Sequence, residues 1–172
     1  MLKLMGVLFL VTGTIGLSLE RIREETKRIK NLKQIKNFTI FLMDEIFHSH
    51  IPIPDICEEY VWKSEGSLKA VLEKVSEEYR NHQGKSFEVI WEETIYRICE
   101  QEKLSKEEKS HLLQLSRCFG YSNAKGQLSA IEQYLQEVEN DVLQREKKFQ
   151  DNRKLIIYFG VMSGLFISIL LL

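Results

Sequence analysis

The sequence predicts an all-α protein: a six-helix bundle flanked by two short apolar helices able to reach across a membrane. Three observations predict it. Apolar residues recur three to four positions apart along nearly the whole chain, and no stretch alternates apolar and polar residues as a half-buried strand does. The 172 residues divide into two uncharged apolar ends, 4–19 and 155–172, around a highly charged middle. Finally, the four glycines outside those ends, Gly66, Gly84, Gly120 and Gly126, all fall at or near the boundaries of helical stretches, where a residue without a Cβ most readily ends a helix.

The first element is the N-terminal apolar run. Its 16 residues extend roughly 24 Å as a helix, and the 18 of the C-terminal run extend about 27 Å, against a ~30 Å hydrocarbon core. Lys3, Arg21 and Arg23 at one end and Arg153 and Lys154 at the other can snorkel to cover the difference. A cleaved leader is the alternative for the first run. No clean small-x-small cleavage site follows it, however, and the next segment is strongly basic, so a retained anchor over 1–19 is the better reading. Residues 20–37 carry seven Lys/Arg against three Glu, and residues 144–154 carry five against two. Of the outer flanks, only the first holds a charge, Lys3. The positive-inside rule therefore places residues 20–154 in the cytoplasm between spans 1–19 and 155–172.

Arg21, Arg23, Lys27, Arg28, Arg153 and Lys154 form a membrane-proximal basic neck suited to anionic headgroups. The body between the necks, residues 38–143, is acidic, with 20 Asp/Glu against 11 Lys/Arg. The acidic residues occur on every expected helix, so no single charged patch is expected. A formal net charge of −1 argues against a dedicated nucleic-acid binder. Three cysteines, Cys57, Cys99 and Cys118, are too few for a disulfide framework, and each lies on or beside an apolar stripe as core residues do.

In the body, Ile22, Ile29, Leu32, Ile35, Phe38, Leu42 and Ile46 form a stripe that continues the first apolar helix until Pro52 and Pro54 stop it. A short helix with Ile53, Ile56, Cys57 and Tyr60 follows. Ser67 is placed to cap a third helix carrying Leu68, Val71, Leu72, Val75 and Tyr79. Ser86 caps a fourth, with Phe87, Ile90, Trp91, Ile95 and Ile98 inward. Ser105-Lys106-Glu107-Glu108 is a capping box opening a fifth helix through Leu112, Leu115 and Phe119, with Gly120 as its left-handed terminator. The sixth stripe, Leu128, Ile131, Leu135, Val138 and Val142, runs on into the C-terminal apolar helix.

Candidate chemistry is sparse. Glu45-x-x-His48 and Glu108-x-x-His111 share the spacing of di-iron bundle ligands, but each sits in an end turn of its helix, where solvated side chains are the plainer reading. A membrane-bound metalloenzyme built on these pairs is nonetheless one alternative function. Gly84-Lys85-Ser86 lacks the rest of a phosphate loop, because Tyr79 stands where its first glycine belongs. No catalytic residues, metal or cofactor are expected. In the last helix, Gly160, Gly164 and Ser168 make a ridge of small residues that allows close helix–helix approach in lipid, and Gly16 offers a similar surface in the first. The ridge can serve contact within the chain or self-association.

Several local strings, in order along the chain, resemble the stage III sporulation protein AB family of endospore-forming bacteria. Met1-Leu2-Lys3-Leu4 followed by Gly6 and the basic neck is similar to the family's start. Glu45-Ile46 followed by Pro52-Ile53-Pro54 is similar to its acidic-apolar step into a P-x-P, and Gly84, Ser86 and Trp91 to its Gly-x-Ser…Trp segment. Phe119-Gly120-Tyr121-Ser122-Asn123…Gln127…Ile131 resembles its Leu-Gly-x-Ser-Asp…Gln…Ile pattern, departing at Phe119 and Asn123. The resemblance implies a non-catalytic platform in the mother-cell membrane around the forespore. It also implies a bundle similar to the cytoplasmic domain of type II secretion inner-membrane platform proteins, coupling a secretion-type ATPase to channel subunits. A tail-anchored helical adaptor of another process, with its first segment cleaved, is the remaining alternative.

Overall fold

The computed structural model describes the backbone of residues 2–49, 51–81, 84–99, 101, 104–120 and 123–171; side chains are described mainly between Leu19 and Asn152. Among the described residues there are six α-helices and no strand: α1 Leu2–His48, α2 Ile53–Tyr60, α3 Gly66–Asn81, α4 Phe87–Ile98, α5 Lys106–Ser116 and α6 Ala124–Leu171. One turn of 3-10 helix, Val61–Lys63, extends α2.

The chain divides into two compact units. One consists of residues 1–29 and 143–172, the beginning of α1 and the end of α6. The expected membrane spans and the small-residue ridge belong to this unit. Gly16 is exposed there, whereas the surroundings of Gly160 and Gly164 and the side chains of Ser168, Arg153 and Lys154 lie outside what is described. Arg21, Arg23 and Lys27 are exposed, and Arg28 pairs with Glu25 at 3.5 Å. Among the described residues, no helix is long and apolar enough to cross a membrane; the runs 4–19 and 155–172 fall mostly outside the described side chains.

The second unit, residues 30–142, holds the core. The α1 stripe supplies Leu32, Ile35, Phe38, Leu42 and Ile46, and the α6 stripe supplies Ile131, Tyr134, Val138 and Val142. Between them pack Ile56 and Tyr60 of α2, Leu68, Val71 and Leu72 of α3, and Ile95 of α4. Trp91, fully buried, stacks on Phe38 with centroids 6.3 Å apart and meets Phe119 edge-on at 5.1 Å. Its indole N–H donates to the Leu112 carbonyl at 2.8 Å, so the largest core side chain also keeps its polar atom satisfied. Cys57 and Cys118 are buried and Cys99 half-buried, all as free thiols.

Helix boundaries follow local chemistry with two exceptions. Ser86 caps α4, and Asn123 accepts from the Gly126 N–H at 2.6 Å to start α6. Ser67, by contrast, does not sit before α3. The helix begins at Gly66, whose φ of +60° only glycine adopts without strain, and the Ser67 hydroxyl is used elsewhere. Gly120 is likewise not left-handed. α5 tightens instead into i→i+3 bonds, Arg117 N–H to Gln114, Cys118 N–H to Leu115 and Phe119 N–H to Ser116. The position is crowded only by a side-chain end: a Cβ there would lie 2.7 Å from the carboxylate of Glu88, which can swing aside.

Candidate functional site

Two polar clusters meet on α5. The first is built on Glu108. The capping box forms as the spacing predicts: the Ser105 hydroxyl accepts from the Glu108 N–H at 3.1 Å, and Glu108 Oε2 accepts from the Ser105 N–H at 2.8 Å. The other carboxylate oxygen faces inward, where it accepts from the Asn31 amide of α1 and from the Ser67 hydroxyl of α3 at 2.7 Å. Glu108 is only 3% exposed. A buried carboxylate is tolerable because three donors replace its hydration. The expected solvated helix end is therefore a buried tie among three helices. Sequence position misled because the outer side of the first turn of α5 is covered by α1 and α3.

The second cluster is an open groove of about 370 Å³ between α5 and α6. Glu107, Ser110, His111 and Gln114 line it from α5, and Glu137, Asn140 and Asp141 from α6. His111, 6% exposed, forms its wall; its Nε2 lies 3.1 Å from Asp141 Oδ2. The Tyr134 hydroxyl donates to the His111 carbonyl at 2.8 Å. Burial holds the Tyr134 phenol well above its ordinary value, with further contributions from Cys118 and Glu137. Burial, with Glu137 nearby, pushes the Cys118 thiol up to about 11, and burial alone raises Cys57 further. Those two thiols are thus inert core groups, not nucleophiles.

The two Glu-x-x-His pairs are not brought together. His48, two-thirds exposed, faces Asp44 at 3.4 Å, while Glu108 is occupied by its three donors and His111 turns to α6. Among the described residues, no three His, Cys, Asp or Glu side chains form a group able to hold a metal ion. Three acidic side chains, Glu107, Glu137 and Asp141, meet at the α5–α6 groove, where no Lys or Arg is among the lining residues, while the others stay spread over the helices as expected.

Sequence reasoning missed Asn31, Tyr134 and Asp141, and gave Ser67 a capping role in place of its bond to Glu108. Asn31 was detectable in principle, as a polar residue beside Leu32 on the inward face of α1. Nothing local marks Asp141, whose partner lies 30 residues earlier in the chain.

Comparison with known proteins agrees with this architecture. The solved structure of stage III sporulation protein AB superimposes with a TM-score of 0.64 at 18% identity, covering 72% of this chain and 97% of that one. The stage III sporulation protein AB of Bacillus subtilis (strain 168) is 23% identical over 172 residues, spanning the whole of both chains. The family described as stage III sporulation protein AB matches residues 3–172. A match that runs nearly end to end, together with the shared helical fold, shows that this chain belongs to the stage III sporulation protein AB family.

Proposed function

We propose that this chain, which its family assigns to sporulation, is a non-catalytic platform anchored twice in the mother-cell membrane around the forespore. In this reading, residues 1–19 and 155–172 cross the membrane and residues 20–154 face the cytoplasm. The bundle couples a secretion-type ATPase to the channel subunits of a mother cell–forespore complex. The observation that carries the reading is the construction of α1 and α6. Each is one unbroken helix that contributes a full stripe to the core and runs on into an uncharged apolar end of the chain. A platform needs such struts, and the polar groups of the core serve to tie helices together.

The experiment is recovery of the full-length protein in mild detergent from sporulating cells, with co-purifying proteins identified by mass spectrometry. A secretion-type ATPase and small membrane subunits are the expected partners. Gly160→Leu and Gly164→Leu are expected to reduce that recovery while leaving helical content unchanged, because leucine on the small-residue ridge holds helices apart. Recovery of the protein without such partners, under crosslinking, would refute the platform. N-terminal sequencing that shows the loss of residues 1–19 would refute the double anchor.

A further inference from the structure

One cysteine stands apart from the other two. Cys57 and Cys118 are buried in the core, and burial pushes both thiols up. Cys99, the C-cap of α4, is only half-buried and has an amine beside it on another helix. The Lys109 ammonium, in the first turn of α5, donates to Cys99 Sγ at 3.6 Å and lies over the Tyr96 ring, 4.4 Å from its centroid. Among the described residues, Lys109 has no carboxylate partner to hold it elsewhere. The thiol in turn donates to the Tyr96 carbonyl at 3.3 Å, which fixes the sulfur in place.

Sulfur and nitrogen are therefore almost in reacting position. Atoms held about 3–3.5 Å apart in a near-attack geometry react as an effectively unimolecular pair. A small rotation of the lysine chain closes the remaining gap.

We propose that Cys99 and Lys109 form a redox modification site, at which a peroxide joins the end of α4 to the first turn of α5 through a sulfenamide bond. The Cys99 thiolate attacks one oxygen of hydrogen peroxide; the S–O bond forms, the O–O bond breaks, and hydroxide leaves with the electron pair. The Lys109 ammonium gives that hydroxide a proton, leaving water and a neutral amine. The amine lone pair then attacks the sulfenic sulfur. The S–N bond forms, the S–O bond breaks, and the departing hydroxyl takes a proton from the amine as a second water. Sulfur loses two electrons and the peroxide gains two, so a single peroxide suffices. A dithiol reverses the bond and is itself oxidised to a disulfide. The bond would fix the first turn of α5, which also carries Glu108 and its tie to α1 and α3.

The test treats full-length protein in mild detergent with hydrogen peroxide, then alkylates the unfolded chain and digests it with trypsin for mass spectrometry. A peptide pair joined at Cys99 and Lys109, lighter by two hydrogens than its separate parts and uncut after Lys109, is expected. Dithiothreitol should return both free peptides. Lys109→Arg keeps the positive charge without the reactive amine, so it should lose the joined pair and leave Cys99 to be trapped by dimedone as the sulfenic acid. A circular dichroism spectrum matching the parent's checks that variant's fold, and the parent's joined peptide is decisive without it. Cys99 still alkylated after peroxide treatment, or oxidised no faster than Cys57 and Cys118, overturns the site. Equal dimedone labelling of Cys99 in parent and Lys109→Arg, with no joined pair, overturns the cross-link.

Discussion

Replacing Glu108 by Ala removes a carboxylate that three donors face. The Asn31 amide is 9% exposed, so once orphaned it has little access to water. An unsatisfied buried donor costs about 1–3 kcal/mol, and a hydrogen bond to a charged acceptor contributes about 1.5–3 kcal/mol net. The Ser67 hydroxyl and Ser105 N–H are only half-buried and can recruit water, so their loss falls at the low end of that scale. Removing the reciprocal capping-box bond adds roughly 1 kcal/mol. Together, Glu108→Ala should destabilise the bundle by about 3–5 kcal/mol. For a chain of this size that corresponds to a fall in Tm of roughly 6–20 °C.

Glu108→Gln keeps the shape and the oxygen facing Asn31 and Ser67, but turns an N–H toward the Ser105 N–H. It should cost about 1–3 kcal/mol. Thermal unfolding of the full chain in mild detergent, followed by circular dichroism, measures both. If Glu108→Ala melts within about 0.5 kcal/mol of the parent protein, a shift typical of an exposed surface site, then Glu108 is not the tie described and the buried hydrogen-bond reasoning is refuted. A double-mutant cycle with Asn31→Ala should show a coupling of at least about 1 kcal/mol, as expected of directly bonded partners.

Trp91→Phe strips the donor from the Leu112 carbonyl and leaves space against Phe38 and Phe119; it should cost about 2–4 kcal/mol in the same melt. Gly66→Ala forces a side chain onto a backbone at φ +60° and should cost about 1–2 kcal/mol. Gly120→Ala meets only the mobile end of Glu88, so a near-neutral melt is expected there, and the pair distinguishes backbone strain from crowding. The pH dependence follows from groups whose native values lie above their unfolded ones. Cys118, Cys57 and Tyr134 all favour the protonated form in the folded state. Their contribution is complete below the unfolded values, near 9 for the thiols and 10 for the phenol. It is lost as pH rises above them, so Tm should fall steadily between pH 9 and 11. An unchanged Tm across that window would contradict their burial.

The six helices, their order and most of their inward faces could be read in the sequence because each depends on spacing within a few residues. The stripe Leu32, Ile35, Phe38, Leu42 and Ile46 is buried as its period required. Ser86, Ser105 and Asn123 cap the helices they precede, since a cap acts on backbone groups three residues away. Gly120 marked a real boundary without the conformation its identity suggests. It serves no left-handed turn; its open side holds the movable end of Glu88, and a contact 32 residues away has no local signature.

Acting alone, the sequence determined the all-α class, the helix order, the basic necks against an acidic body, and the family. All of these follow from composition, short-range periodicity or strings read along the chain. Tertiary structure decided that Glu108 is buried rather than solvated, that His111 turns to Asp141, and that Glu107 of α5 and Glu137 and Asp141 of α6 line one groove. Each of these depends on which faces of distant helices meet. That choice is made by the packing of Trp91, Phe38 and their neighbours, and spacing within a single helix cannot encode it.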